Sequence, residues 1–373
     1  MSYTNKRKKI SLHVKTDLNT DGRVLAWIDV INEYYRDMDF CVSVNADRTI
    51  NFDLLTGIEI NVINVKFITS NRGLFSILRL LSYAFIDFIF LLKYRPSVVI
   101  VQDKNALLAP ILYSFLSSKA SLIYDDHELF NFPLTLEDKL FFIIEKLAYK
   151  ISTDVFVANK FRRKIISRLY KTDREILILK NFYHDRSRNG TVQLSANTAT
   201  ALDTIVDLRS RGKEIILHQG RITKERGEAK IFQLLATVDE KFHVCFIGDE
   251  VYDFASKHAG KNFTVLGKIP YSELSLIYKE IDFSIIFYEN NFINNRYCAP
   301  NRLFMAMYFN VIIIVNKNIS MLDALCDYER KLIYTGGNLN SYADTTKIKV
   351  VNKQYDFTVN NQDLIRSVIT KNL

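Results

Sequence analysis

The chain is short of the groups that would cross-link it or hold a metal. Its four cysteines, Cys41, Cys245, Cys298 and Cys326, lie far apart with no CxxC pair. That spacing suggests neither a disulfide framework nor a zinc site, and it fits a reducing cytoplasm. His13, His184, His243 and His258 show no ligand spacing and read as structural. Long apolar runs are missing too. The longest, Leu80 to Leu92, is broken by Ser82 and Asp87 and bounded by Arg79 and Lys93. A membrane span needs ~20 apolar residues, so the run reads as a buried crossover helix rather than a membrane-dipping one. No secretory leader is evident: the polar, basic Asn5-Lys6-Arg7-Lys8-Lys9 leads into Ile10-Ser11-Leu12-His13-Val14, a first strand. There is no internal repeat of the solenoid kind.

What is present is an ordinary globular balance. The 373 residues are 48% apolar and 24% charged, enough for two domains, each with its own core. The formal charge of +9 draws such a chain to phosphates, whether of nucleotides, nucleic acids or anionic lipids. Basic residues are not interleaved with aromatics as a stacking platform requires, so a nucleic-acid partner is not expected. Short β-rich runs alternate with helix-length runs, which indicates parallel sheets with helices on both faces. The expected strands of the first half are 9–14, 41–44, 60–65, 98–102, 121–124, 155–158 and 176–179. A polar stretch follows, and the alternation restarts with strands 215–219, 243–247, 264–266, 283–287 and 311–315. The expected fold class is α/β, with two Rossmann-like doubly wound units facing a central cleft. The boundaries are 1–185, a linker 186–212, a second domain 213–350, and a helical tail 351–373 that packs back on the first domain. Ligands of such sheets bind at the carboxyl ends of the strands.

The segment richest in chemistry is His218-Gln219-Gly220-Arg221-Ile222-Thr223-Lys224-Glu225-Arg226-Gly227: a strand end, a glycine turn, cations, and a second glycine opening a helix. Gly220 lets the backbone approach a ligand. Arg221 and Arg226 could clamp a diphosphate, since guanidinium forks match phosphate oxygens. Gly248 ends another strand. Ile269 lies in the turn after the strand at 264–266. The polar loop from Glu289 through Asn294, Asn295, Ala299 and Pro300 feeds a helix beginning at Asn301, and free amides at a helix start bind phosphate.

In the first half, Asp21-Gly22-Arg23 follows the first strand. Ile123-Tyr124-Asp125-Asp126-His127-Glu128-Leu129-Phe130 sits at another strand end. Taken in order, these segments resemble family 4 glycosyltransferases of the GT-B fold, many of which build bacterial surface polysaccharides. The resemblance runs from Asp21 to about Leu325. It implies a nucleotide-diphosphate sugar donor and a glycan or lipid-linked glycan acceptor, with retention of configuration and no metal or other cofactor. In that family a Gly-Arg strand end and a later basic residue hold the donor diphosphate. Arg221 and Arg226 match those places, with Lys224 an alternative for the second, and Asn301 at the helix start. The resemblance puts Gly22, Gly220, Gly248, Ile269, Glu289, Asn294, Asn295, Ala299 and Pro300 around the donor. His127 would contact the donor sugar, with Asp126 or Glu128 near the acceptor hydroxyl. The implied place of work is the cytoplasm, peripheral to the inner face of a bacterial plasma membrane.

Two positions depart from the family pattern. Met305 stands where a glutamate would accept hydrogen bonds from the ribose, and Tyr297 stands in place of the partner glutamate. Losing that acceptor should cost the ribose contact ~1–3 kcal/mol. Asn310 replaces a turn glycine, and asparagine also tolerates a left-handed helix cap. Asp37-Met38-Asp39 has the form of a metal-binding DxD but follows a helix, and it reads as a solvated turn. Lys160 to Lys171 is a basic amphipathic helix: a solvated face over its own core, or a lipid-facing one. Two other functions remain open: a GT-B nucleotide-sugar epimerase, or a non-catalytic partner of a transferase.

Overall fold

The computed structural model describes residues 7–15, 18, 21–45, 58–63, 74–130, 135–185, 194–248, 262–336, 339 and 352–373. The chain divides into two compact units: Met1–Lys180 with Asn361–Leu373, and Asn181–Asn360. Asp249, part of the expected second glycine turn, and the Arg186–Gly190 stretch lie outside the described residues.

The first unit carries β1 (Lys9–Val14), α1 (Gly22–Tyr34), β2 (Asp39–Asn45), β3 (Glu59–Ile63), α2 (Leu74–Tyr94), β4 (Val98–Gln102), α3 (Leu108–Leu116), β5 (Ser121–Asp126), α4 (Leu136–Ile151), β6 (Asp154–Val157), α5 (Lys160–Tyr170) and β7 (Leu177–Ile178). Its seven strands lie in the order β3-β2-β1-β4-β5-β6-β7, all parallel. The chain winds outward from β1 to β3, then returns to lay β4 against β1. The second unit repeats the plan with α6 (Ala196–Ser210), β8 (Glu214–Gln219), α7 (Glu228–Thr237), β9 (Phe242–Ile247), β10 (Phe263–Gly267), α8 (Leu274–Glu280), β11 (Phe283–Ile286), α9 (Ile293–Arg296), α10 (Asn301–Tyr308), β12 (Ile312–Val315), α11 (Ile319–Ala324) and β13 (Lys331–Ile333). Its sheet order is β10-β9-β8-β11-β12-β13, again parallel. A last helix, α12 (Phe357–Asn372), ends the chain.

Parallel strands are buried on both faces and therefore read as continuous apolar runs. β4 (Val-Val-Ile-Val-Gln) and β12 (Ile-Ile-Ile-Val) are such runs, and each is buried throughout. Local chemistry sets the helix ends. Thr135 and Asp138 form a reciprocal capping box on α4, and Asn159, Ser195 and Asn318 cap α5, α6 and α11 through their side chains. Asn310 takes φ 54° after α10, the left-handed cap that its side chain tolerates. β13 and α11 were not anticipated from the sequence. A three-residue strand and a six-residue helix are too short to show a period. A 3₁₀ turn, Tyr271–Glu273, leads into α8.

The apolar run 80–92 belongs to α2, and no described helix is long and apolar enough to cross a membrane. Its one carboxylate, Asp87, points inward and is wholly buried. There Asp87 Oδ2 meets His13 Nδ1 at 2.8 Å, Ser43 Oγ donates to Oδ1 at 2.7 Å, and the other ring nitrogen of His13 lies 3.0 Å from Ser11 Oγ. Ser11 and His13 are two residues apart on β1 and so share a face. This polar cluster fixes the rotation of α2 on β1 and β2. We predict that Asp87→Leu, which takes the buried acceptor away from His13 Nδ1 and the Ser43 hydroxyl, lowers stability by on the order of 3 kcal/mol in urea melts.

Candidate functional site

In a doubly wound sheet the ligand crevice opens beyond the strands where the winding reverses. In the second unit those strands are β8 and β11. β9 ends at Gly248, whose φ is 141°. A side chain there would come within 3.0 Å of the Gly220 backbone, so glycine is what lets the two strand ends touch. Gly227, at φ 76°, is similarly tied: a β-carbon would lie 2.6 Å from Phe287 Cβ. This close packing brings the start of α7 against the end of β11. Asn316 then holds the residue after Phe287. Its amide donates to Tyr288 O at 2.7 Å and its carbonyl accepts from Tyr288 N at 3.1 Å.

Two guanidiniums converge on this point. A side chain added at Gly220 would come within 3.5 Å of Arg226 Nη1 and 3.9 Å of Arg302 Nη1. Both groups lie by the Tyr288 ring, Arg226 at 5.7 Å and Arg302 at 5.3 Å from its centroid. Arg302 is only 7% exposed. One of its nitrogens donates to Gln219 O, while Nε and Nη2 have no partner. Burial pushes its pKa down, and the nearby Arg226 charge pushes the same way. Among the described residues no carboxylate offsets either cation. His218, beneath them on β8, is held neutral by burial and then by Arg302. α10 begins at Asn301 after Pro300 with no side chain capping its first amides. Two cations, uncapped amides and unsatisfied donors are the groups that attract an anion.

The sequence reading pointed to Arg226, Gly220, Gly248 and Asn301, and these meet here. It passed over Arg302 as a site residue, although Arg302 stands one residue beyond Asn301. A helical cation looks exposed in sequence, and only tertiary packing shows this one buried. Arg221 and Lys224 are both exposed. Glu289 pairs with Lys230, and its amide donates to Glu225 O at 2.8 Å. Asn295 reaches Glu225 O at 3.4 Å, and Asn318 holds Asn295 O at 2.8 Å. Asn294, in the same short helix α9, is half-buried. Ala299 is buried, with its carbonyl accepting from Asn181 at 2.6 Å, and Pro300 is half-buried. Ile269 is buried in the turn after β10, where Asn197 donates to Lys268 O at 3.2 Å. Met305 is 1% exposed and packs in the core, so it presents nothing to a ligand.

The first unit holds a second cluster, at the end of β5. Alternate residues of this strand bond to opposite layers. Asp125 faces α1: Arg23 grips it through Nε at 2.9 Å and Nη2, and Trp27 Nε1 donates to it at 2.9 Å. Tyr124 and Asp126 face α4. Tyr149 donates to Asp126 at 2.6 Å, and Tyr124 and Tyr170 both donate to Glu145. Burial raises Glu145 to about 8, and the charge of Asp126 adds to the rise. Asp126 is itself raised by burial. His127 follows, 16% exposed on its side chain, with Nε2 a long 3.4 Å from Asp125 Oδ2. Arg162 donates to the His127 carbonyl. Glu128 is exposed, with its amide on Asp126 Oδ1 at 3.1 Å. Gly22 is buried at the first position of α1, where the Asp21 side chain already accepts from the Arg23 and Val24 amides. Gln102, buried at the end of β4, has no partner for either side-chain polar atom. Asp39 of the DxD lies 3.9 Å from Lys9 and 4.0 Å from Arg7, a surface ion pair.

No protein-family model matches the chain, and no curated protein matches it in sequence. Solved structures do resemble it in fold. The crystal structure of Anabaena HepE in complex with UDP and glucose aligns over 98% of this chain and 100% of its own, with a TM-score of 0.70 and 15% identity. UDP-GlcNAc 2-epimerase from Methanocaldococcus jannaschii aligns over 97% and 99%, with 0.63 and 14%. A glycosyltransferase from Rickettsia africae aligns over 98% and 94%, with 0.60 and 13%. These likenesses show the fold: two Rossmann-like parallel-sheet domains in one chain, the GT-B class.

The Asp125 cluster has a definite pH signature. For Asp125, burial alone would raise the pKa; the Arg23 and His127 charges overcome it and hold the carboxyl well below the usual range. For His127, burial would lower the pKa; the Asp125 charge outweighs it and holds the imidazole above its ordinary value. Stability from the His127–Asp125 pair is therefore fully present below the ordinary imidazole pKa and is lost as pH rises through the raised one. NMR titration of His127 should give a pKa above that of a free imidazole, and Asp125→Asn should bring it down. An unchanged value in that variant would remove Asp125 as the cause.

Proposed function

We propose that the chain is a glycosyltransferase that moves a sugar from a nucleotide-diphosphate donor to a lipid-linked cell-surface glycan, in the manner of family 4. The observation that carries this is the pair Arg226 and Arg302. They are two guanidiniums at the winding reversal of the second sheet, one of them buried with donors unused. A diphosphate is the ligand whose charge and oxygen spacing answer both forks. HepE, the Anabaena protein of like fold, holds UDP and UDP-glucose in its crystals, which makes UDP-sugars the first donors to try.

In the reaction the bond from the anomeric carbon to the diphosphate oxygen breaks, and the bond to the acceptor oxygen forms. Negative charge grows on the leaving diphosphate. Arg226, Arg302 and the uncapped amides of α10 are placed to stabilise it. On the retaining reading, the leaving phosphate itself takes the acceptor proton. His127, held as a donor by Asp125, would bind a sugar hydroxyl, and Glu128 is the exposed carboxylate beside it. Asp126 is engaged by Tyr149, so its role in this reading is to position the loop rather than to meet the acceptor. On this reading Arg226 and Arg302 neutralise the leaving group, and the reaction as proposed uses no metal. The lipid-linked acceptor brings the enzyme to a membrane surface as a peripheral protein.

An epimerase is the second reading, favoured by the similar fold of the archaeal UDP-GlcNAc 2-epimerase. Incubation of nucleotide sugars with and without a glycan acceptor separates the two. A transferase consumes donor in an acceptor-dependent way, whereas an epimerase converts the donor alone. Arg226→Ala should lower donor kcat/KM by about a hundredfold or more while the protein stays folded. His127→Ala should reduce kcat more than nucleotide affinity. Addition of EDTA should leave turnover unchanged. Near-normal turnover in Arg226→Ala would overturn the diphosphate assignment.

A further inference from the structure

Three neighbouring helices of the first unit, α2, α3 and α4, pack in sequence along one layer. Their outward residues have an unusual composition. On α2 the exposed positions include Leu78, Leu81, Phe85 and Leu92, a single stripe by helical spacing; on α3 they are Leu112, Phe115 and Leu116. Phe85 is 64% exposed, Phe115 61% and Leu116 69%. On α4, Ile143 is exposed in line with Lys139, Lys146 and Lys150, positions i, i+4, i+7 and i+11 of the same face. Among the side chains described on these three helices, every exposed one is a large apolar residue or a lysine, and none is acidic. The usual order is inverted on α2: its inward face carries the carboxylate, Asp87, pinned to His13 and Ser43, and its outward face carries leucine and phenylalanine. That pinning keeps α2 flat on its sheet, so the apolar stripe is held at the surface.

We infer that the α2–α3–α4 face docks on an anionic phospholipid bilayer, with Phe85 and Phe115 entering the headgroup boundary and Lys93, Lys139, Lys146 and Lys150 meeting the phosphates. A contiguous apolar patch of this kind marks a contact surface. Its charge chooses the partner. Pairing with a second copy about a two-fold axis would set lysines against lysines, whereas an anionic leaflet neutralises each of them. Apolar insertion combined with basic residues is the physical basis of interfacial binding. α5, the basic helix singled out in the sequence, is the weaker candidate. Its exposed residues are Lys160, Arg163, Lys164 and Arg168, while Phe161, Ile165 and Leu169 are half-buried and Ile166 fully so. It offers charge without apolar insertion. The inference deepens the lipid-linked acceptor reading by locating the membrane face, but its test needs neither donor nor acceptor.

The full-length protein is floated with phosphatidylcholine vesicles that contain or lack phosphatidylglycerol. Binding to the anionic vesicles should be at least about tenfold stronger, and it should fall about tenfold in the double variant Phe85→Ser/Phe115→Ser. Lys160→Glu/Lys164→Glu should keep most of the binding. UDP affinity, measured on the same preparations, should be unchanged in the phenylalanine variant, which checks that it is folded. The inference is overturned by wild-type protein that floats with neither vesicle. Loss of binding in the α5 variant with retention in the phenylalanine variant also overturns it. So does a lipid-free dimer that the phenylalanine substitutions dissociate, because the face would then be a self-association surface. None of these outcomes bears on donor turnover, so the transferase reading stands or falls separately.

Discussion

The second unit is organised around an unpaired charge. Burying a guanidinium without a counter-ion is costly, and a fold keeps one only where its surroundings are firmly held. Arg302 is held by Gln219 O and by the aromatic face of Tyr288. Gln219 is fixed in turn as the last residue of β8, where Tyr278 donates to its side chain at 2.8 Å. Tyr288 is fixed by both ends of the Asn316 amide. Gly248 and Gly227 let the strand ends and the start of α7 come close enough for Arg226 to join the group. The electrostatic cost of two neighbouring cations is one that a bound anion would offset.

The first unit solves the same problem in the opposite way. Two of its buried carboxylates are surrounded by donors: Asp125 by Arg23, Trp27 and His127, and Asp87 by His13 and Ser43. One strand, β5, supplies both layers because side chains alternate across a sheet. Asp125 ties α1 to the strand and Tyr124 and Asp126 tie α4. The His127 loop is therefore positioned from two sides before any ligand arrives. Such preorganisation is what a sugar-binding imidazole would require.

Much of this was legible in the sequence. The strands were visible as short β-branched runs between turn signals, and they fall where expected to within a few residues. The Gly220–Gly227 segment and the Pro300–Asn301 helix start stood out because glycine, proline and arginine carry local constraints. Features that depend on distant contacts were not legible. Asp87 looked like an interruption in an apolar run until His13 and Ser43 were seen beneath it. Arg302 did not stand out, because only its burial shows its place. Asp126 was expected near an acceptor hydroxyl, yet Tyr149 holds it inside. A helix such as α2, apolar on nearly every side, cannot reveal from hydrophobicity alone which face turns outward. Met305 stood out as a departure from the family pattern, and its burial leaves it no surface to offer a ligand.

A diphosphate site in the second unit would discriminate between ligands that differ in that group alone. Calorimetric titration with UDP and with uridine, repeated with the GDP and ADP pairs, makes the comparison. The account predicts that one nucleoside diphosphate binds about a hundredfold more tightly than its nucleoside, with an affinity that falls as salt is raised. Equal binding of nucleoside and diphosphate, or no binding of any of the three diphosphates, would contradict it.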